Sequence, residues 1–594
     1  MATKVPQFSR IPLEWFCDKE IKMQTDDQRG PQVFACEQIQ AMKHRLPNES
    51  FLEAKAREAA SMSDSEEHRK AYREIIVDQR FLAAGRVQSA MGSPKHVTAY
   101  NCFVSQTIFD SMSSIMDAVA AAAETMRRGG GIGYDFSRIR PRGDRVVSLD
   151  SSASGPVSFM HVFDAVCRTI MSAGLRRGAM MAVMRIDHPD IEEFIRCKKN
   201  DDVLTNFNIS VAVTNKFMEA VKANEDFELK FDKRSYGLIN ARNLWEEIMR
   251  NNWDWAEPGV IFIDRVNADN NLGYEEYIAA TNPCGEQPLP PNGACLLGSI
   301  NLTRYVIRGD GRYEFDTALF VADIPHIIRA MDNVIDRTIY PLKDQEEEAK
   351  EKRRMGIGIT GLANTLEAMG MRYSSIEGRE FARDIIRTLR DEAYRASVTL
   401  AKEKGAFPLF SRGYLHGEFI ARLPGDIQDG IMEHGIRNSH LISIAPTGTI
   451  SFAADNVSSG IEPPFALEYD RTVQTEAGPK IVKMQDYAWR EWGVRGEVVD
   501  DLSPRDHLLM QAAMQPFVDS AISKTINVSD DTTFHEFMGI YVAGWEQKLK
   551  GVTTFRAAGK RYGILNKTEG TRVPDTGDGA ACFIDPETGS RECE

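Results

Sequence analysis

Asn282, Cys284 and Glu286 stand at alternate positions in the stretch Thr281 to Leu302, TNPCGEQPLPPNGACLLGSINL. In an extended segment, side chains at i, i+2 and i+4 share a face, so an amide, a thiol and a carboxylate would project together over roughly 7 Å. A second thiol, Cys295, follows soon after. Pro283 lacks a backbone donor and Gly285 lacks a side chain, which predicts a specially shaped loop rather than a regular strand. Taken alone, the pattern is equally that of a buried cysteine in a Pro/Gly turn. Its surroundings decide between the two.

Ala445 to Ser451, APTGTIS, combines a strand end, a glycine and hydroxyls in a form suited to presenting backbone N–H groups to phosphate at a helix start. Thr447, Gly448, Thr449 and Ser451 are the candidate phosphate contacts, with Ser89 in VQSAMG as a further substrate contact. A lone PTGT is more often just a turn. GGGIG at 129 to 133 follows an expected helix and not a strand, so a dinucleotide-binding fingerprint is rejected. Nine cysteines in 594 residues make no disulfide framework, and no CxxC or CxxC…HxxxH spacing points to zinc. No protein-held metal is expected, and redox chemistry is the more interesting use of the thiols.

With its neighbours, the cysteine loop resembles the active-site loop of the ribonucleotide reductase large chain. The resemblance also runs through YNCFVSQTIFDSMSSI at 100 to 115, RRGGGIGYDFSRIRPRGDRV at 127 to 146 and GLRRGAMMAVMRIDHPDIEEFIRCKK at 174 to 199. It continues in NFNISVAV at 206 to 213, RRMGIGITGLAN at 353 to 364 and IRNSHLISIAPTGTISFAADNVSSGIEPPF at 436 to 465. These motifs keep the family's order over roughly residues 85 to 560, which chance matching does not produce.

The resemblance implies reduction of ribonucleotides to 2'-deoxyribonucleotides for DNA synthesis. Cys284 would carry the thiyl radical that removes the 3' hydrogen, Glu286 would deprotonate the 3'-hydroxyl, and Asn282 would orient the sugar. Cys102 and Cys295 would supply two electrons by closing to a disulfide, which requires Cα atoms under about 7 Å apart. Cys582 and Cys593 would pass reducing equivalents inward from a thioredoxin-like partner, although ten residues separate them, a wider spacing than is usual in the family. Asp110 and Ser111 match the region where a deoxynucleoside triphosphate or ATP sets specificity near a homodimer interface. Arg138 would contact effector phosphate, and the loop with Arg176 and Arg177 would relay effector identity to the substrate. The substrate would be a ribonucleoside diphosphate or triphosphate.

The radical source divides the family. The chain has no Tyr-Tyr pair, and LKGVTTFRAAGKR at 549 to 561 resembles the class II segment KG(I/V)T-x-(Y/F)-R. Adenosylcobalamin is therefore the expected cofactor, and the absence of D-x-H-x-x-G agrees with class II chains. The tail has no glycyl-radical motif like that of class III. The alternatives are a class I large chain served by a separate metal-containing small subunit, and a catalytically silent nucleotide-sensing homologue.

Something must position these residues. From about Val97, short apolar strands alternate with longer amphipathic helices, which marks α/β architecture. Strands are expected at Tyr100–Val104, Phe207–Val213, Val260–Ile263 and Leu441–Ala445. Helices are expected at Met112–Arg127, Val157–Ser172, Asn243–Asn251 and Arg379–Lys402. The resemblance implies a ten-stranded α/β barrel of two five-stranded halves with the cysteine finger loop at its centre. The expected division is a mainly helical region over 1–95 with no ATP cone, the catalytic barrel over 96–556, and a flexible redox tail over 557–594. A net charge of -14 argues against nucleic acid as a partner. No apolar run approaches a membrane span and the N-terminus lacks a signal-peptide core, so the expected location is the cytoplasm.

Overall fold

The computed structural model describes residues 30–556 apart from 173–175, 178, 200–202, 310 and 476–477, together with 582–584 and 591–593. Among the described residues no helix is long and apolar enough to cross a membrane. The helices that matter to the site are α1 (Phe34–His44), α2 (Gly85–Ala90), α3 (Met112–Arg127), α4 (Ile376–Lys404), α5 (Gly448–Ala453) and α6 (Pro504–Met514).

Eleven strands carry the centre of the fold. They are β1 (Phe81–Ala83), β2 (Cys102–Val104), β3 (Gly131–Asp135), β4 (Met180–Arg185), β5 (Phe207–Val213), β6 (Gly259–Phe262), β7 (Ala294–Cys295), β8 (Leu297–Asn301), β9 (Gly356–Thr360), β10 (Thr525–Val528) and β11 (Gly551–Arg556). Eight of them form one sheet in the order β7-β2-β3-β4-β5-β6-β11-β10, and β1-β8-β9 form another. The run β2 to β6 is parallel, while β7 and β11 join it antiparallel. Strands buried on both faces read as continuous apolar runs, as MMAVMR and FNISVAV do. One side packs against a core with Ile132, Phe163, Ile209 and Trp245, and the other against a core with Val183, Ala212, Ile300 and Ile359.

The two sheets are linked by isolated parallel bridges, Ile357 to Ile442 and Ile444 to Ile522, and not by a continuous ladder among the described residues. The segment Leu441–Ala445, expected as a strand, is extended but forms only these bridges. The reason is local: the Leu441 and Ile442 N–H groups donate to the Asp519 carboxylate at 2.7 and 2.9 Å, so they are unavailable to a neighbouring strand. The α/β class is what the structure has, while a closed ten-stranded ring is finer than its hydrogen bonding draws.

Helix α3 spans the residues expected of it. Ser111 caps its N-terminus by accepting the Ser114 N–H at 3.2 Å, and Ile115, Ala118, Ala122 and Met126 bury one stripe at helical spacing. The opposite side leaves Met112 and Met116 exposed.

The glycine-rich strands exist to let other chain segments cross them. A Cβ on Gly133, in the GGGIG run, would lie 1.8 Å from the Thr281 carbonyl oxygen. On β9, a Cβ on Gly358 would lie 2.3 Å from the Ser443 oxygen. Both glycines allow a loop to pass directly over the sheet, a packing use and not a nucleotide-binding one.

Candidate active site

Ala280–Thr281 pairs antiparallel with Pro288–Leu289, so residues 282–287 are the turn of a short hairpin laid across β3. The turn is organised by one side chain. Asn282 Oδ1 accepts the Gly285 N–H at 3.1 Å and the Gln287 N–H at 3.0 Å, an Asx-type arrangement. Gly285 adopts a φ of 82°, which a glycine supplies without strain. The alternate-face arrangement of an extended segment is thus replaced by a compact turn. Asn282 keeps one free function: its Nδ2 is buried and has no hydrogen-bond partner among the described residues.

The turn is tied to its surroundings through backbone oxygens. Asn208 Nδ2 donates to Pro283 O at 3.2 Å, while the Ala521 N–H and Ser443 Oγ donate to Glu286 O at 2.9 and 3.0 Å. Cys284 and Glu286 are both buried. Cys284 is disulfide-bonded, while Cys36, Cys102, Cys167, Cys197 and Cys295 are free thiols. The structure therefore represents an oxidised state of this residue.

Cys102 and Cys295 come together as the dithiol chemistry requires. They are directly opposite in the antiparallel pair of β2 and β7, an arrangement that sets Cα atoms roughly 4.5–5.5 Å apart, inside the range a disulfide spans. Burial pushes the Cys295 thiol well above its usual range, and the hydrogen bond and charge of Cys102, with Glu286 behind them, push the same way. Cys295 is thus a protonated thiol at neutral pH. The cysteine turn is close by: the Pro283 ring and Cys102 Sγ lie 3.2 and 3.5 Å from where a Cβ on Gly131 would sit.

Thr447 precedes α5 in a left-handed conformation, with φ at 58°. Its Oγ1 meets Thr360 Oγ1 at 2.9 Å and accepts the Gly460 N–H at 2.7 Å. Ser451 is buried, its Oγ donating to Gly448 O at 3.2 Å and meeting Ser459 Oγ at 2.9 Å. These two hydroxyls shape the loop from behind, while Gly448 and Thr449 are the first residues of the short helix. Ser89 lies on α2 and donates to Arg86 O at 3.2 Å. Leu82 of the preceding strand packs with Ile450 and Ala454.

Asp110 pairs with Arg140, accepting its N–H at 3.1 Å and its Nε at 2.6 Å. Arg138 is exposed. Asp110, Arg140, Asp144 and Arg234 line a surface cleft under the hairpin of 226–240. Arg176 and Arg177 form the return strand of a small hairpin with Met171–Ser172. Of the expected tail, two strands are described, β12 (Cys582–Ile584) and β13 (Arg591–Cys593). They pair so that positions 582 and 593 are opposite, and β13 runs beside α5.

A narrow cleft reaches Cys284. Ser210 of β5, Gly259 of β6, Ser523, Lys524, Lys550 and Thr553 line it with Cys284 and Gly285. No heavy atom lies within 4 Å of where a Cβ on Gly285 would sit, so the space extends to the turn itself. Sequence reasoning passed over Lys524, Lys550, Gln287 and Arg140. Gln287 is fully buried with no hydrogen-bond partner for its amide among the described residues, and its position beside the cysteine motif was the one available signal.

Residues 100–555 match the family model described as ribonucleotide reductase, barrel domain. The chain is 37% identical over 495 residues to a vitamin B12-dependent ribonucleoside-diphosphate reductase of Mycobacterium tuberculosis (strain CDC 1551 / Oshkosh), covering 78% of this chain and 68% of the relative. It is 35% identical over 508 residues to the protein of that name from Thermoplasma acidophilum, covering 80% and 63%. A ribonucleoside-diphosphate reductase large subunit from Vaccinia virus is 26% identical over 443 residues, covering 67% and 57%.

Proposed function

The chain belongs to the ribonucleotide reductase family, and on that premise we propose that it reduces ribonucleoside diphosphates to 2'-deoxyribonucleotides with adenosylcobalamin as its radical source. The observation that carries this reading is the meeting of Cys102 and Cys295 across one strand pair, with the Cys284 turn beside Cys102.

Cys284, once reduced, takes the 3' hydrogen atom of the ribose as a thiyl radical. Glu286 accepts the 3'-hydroxyl proton, and the unpartnered Nδ2 of Asn282 donates to the sugar. The 2'-hydroxyl leaves as water, and Cys102 and Cys295 give up two electrons and close to a disulfide. Cys284 then returns the hydrogen atom to C3' of the product radical and becomes a thiyl radical again. Burial of the site protects the radical from solvent.

When bound, adenosylcobalamin supplies an organic radical by homolysis of its cobalt–carbon bond. The cleft beside Cys284 offers the organic portion of such a group open space at Gly285 and the hydroxyls of Ser210 and Thr553. The name borne by the mycobacterial and Thermoplasma relatives supports this cofactor over a separate radical-generating subunit. It also favours diphosphate substrates.

The remaining assignments extend the same reading. Residues 96–556 are the catalytic barrel, completed as ten strands in two halves, with the helical region 1–95 before it and a redox tail over 557–594 after it. Gly448 and Thr449 hold substrate phosphate, with Thr447, Ser451 and Ser89 in support. Asp110, Ser111, Arg138, Arg176 and Arg177 serve the nucleotide effector. The exposed Phe109, Met112 and Met116 beside that region support a homodimer. Cys582 and Cys593 carry electrons from a thioredoxin-like protein, as their opposed register supports. A reducing cytoplasm suits this use of thiols.

The test is turnover of ribonucleotides by the purified chain with adenosylcobalamin and dithiothreitol, without any second subunit. Deoxynucleotide formation supports the reading. Nucleotide binding without turnover would favour the silent sensor, and turnover only after adding a metal-containing subunit would favour class I.

A further inference from the structure

The segment Asp519–Thr525 touches both halves of the site. Its Asp519 carboxylate holds the Leu441 and Ile442 N–H groups at 2.7 and 2.9 Å. The Ala521 N–H donates to Glu286 O at 2.9 Å, directly behind the cysteine turn. Ala521 O accepts the Ile444 N–H at 3.1 Å, and the Ser523 N–H returns a bond to Ile444 O at 2.8 Å, just before the phosphate loop. One stretch of chain therefore meets the turn that carries Cys284 and the approach to Thr447.

At its end stands Lys524, fully buried and one of the walls of the Cys284 cleft. Its ammonium donates to Glu462 Oε2, to His507 Nδ1 at 3.0 Å and to Thr525 O at 3.2 Å. Three donors meet three acceptors, so no proton is left over for a ligand. Glu462 takes the Thr525 N–H on its other oxygen at 2.6 Å. It lies two residues after Gly460, whose N–H bonds Thr447 Oγ1 at 2.7 Å and Thr360 Oγ1 at 3.1 Å. Tyr373 completes the enclosure: its ring lies 5.8 Å from the ammonium, and its hydroxyl donates to Ile461 O at 2.7 Å.

A buried ion pair is a poor way to gain stability, because desolvating both charges offsets most of their attraction, and apolar replacements are often as stable. What such a pair does well is fix geometry. We propose that Lys524 is a positioning residue for ribonucleotide reduction, its bond to Glu462 holding the phosphate loop at a fixed distance from the Cys284 turn. The inference rests on the reductase reading above. A hydrogen-atom transfer tolerates little misplacement, and an error of about 1 Å in a bound reactant costs roughly a hundredfold in rate.

The test compares wild type, Lys524→Met, and the double variant Lys524→Met/Glu462→Gln in steady-state turnover with adenosylcobalamin and dithiothreitol, alongside thermal unfolding. Lys524→Met alone leaves an unpaired buried carboxylate and should unfold at a lower temperature. The double variant removes both charges and should recover most of that loss. If Lys524 positions the loop, kcat/KM of the recovered double variant stays about 100-fold below wild type, with KM for the diphosphate raised and kcat lowered. Recovery of stability together with wild-type kcat and KM would overturn the proposal. Failure of the wild-type protein to turn over would instead strike at the reductase reading.

Discussion

Cys102 and Cys295 face each other across a two-residue antiparallel contact between β2 and β7, with the Glu286 carboxylate near enough to raise the Cys295 thiol's affinity for its proton. The pair is separated by nearly two hundred positions in the chain, yet the strand register sets it at disulfide distance. A single turnover without added reductant should leave these two sulfurs joined. Peptide mapping after quenching with a thiol-alkylating reagent should recover the 102–295 cross-link in substrate-treated protein and not in untreated protein. Cys295→Ser should bind nucleotide normally and form no deoxynucleotide. Product formation by that variant in more than a few percent of wild-type yield would remove the pair from the mechanism.

Gly133 makes a prediction about the fold beneath the site. An alanine methyl there would occupy space 1.8 Å from the Thr281 carbonyl oxygen, which is backbone and cannot swing aside. Gly133→Ala should cost ~3 kcal/mol of stability, measured by denaturant unfolding, and displace the cysteine turn. Gly143→Ala, where no atom lies within 4 Å of the new Cβ, is a control for space alone, since its φ of 83° still brings backbone strain. An equal loss at both positions would show that crossing of the loop is not what Gly133 protects.

Much of this was legible in the sequence, and what was not had physical reasons. Phe207–Val213 and Met112–Arg127 are found at the expected residues, since a seven-residue apolar run and a stripe at helical spacing are local signals. That Asn282, Cys284 and Glu286 share one specially shaped loop was readable from type and order. Their geometry was not, because the Asn282 side chain turns the backbone where an extended segment was the simplest model. Leu441–Ala445 has a strand's composition, but a carboxylate seventy-eight positions away takes the hydrogen bonds a ladder would need. Lys524 and Arg140 escaped notice for the same cause. Each is defined by a partner distant in the chain, Glu462 at a separation of 62 and Asp110 at 30, and no local pattern announces such pairs.

Glu367 and Asp486 predict a pH dependence. Asn364 Nδ2 donates to both carboxyls, at 3.1 Å to Glu367 and 2.7 Å to Asp486. Burial, followed by the Asp486 charge, raises the Glu367 carboxyl from 4.5 to about 9. Its native state therefore binds a proton that the unfolded chain releases. The stabilisation is fully present below about pH 4.5 and is lost as pH rises toward about 9. Glu367→Gln cannot lose that proton, so its unfolding temperature should fall less than wild type's between pH 6 and 9 (about 3 units of the window). Parallel curves for the two proteins would contradict the raised Glu367 carboxyl.

The tail gives a prediction about electron supply. Deleting the residues beyond Asn566 should abolish multiple turnovers driven by thioredoxin while sparing those driven by dithiothreitol, which needs no relay. Equal loss with both reductants would dismiss the relay.

The central claim is that the sulfur of Cys284 becomes the oxidant that attacks ribose. Stopped-flow absorbance during mixing with adenosylcobalamin, substrate, effector and a dithiol measures this directly, with wild type and Cys284→Ala compared at matched nucleotide occupancy. The account predicts cob(II)alamin and deoxynucleotide from wild type and neither from the variant, with substrate affinity nearly unchanged. Deoxynucleotide formation by the variant above a few percent of the wild-type rate would contradict it.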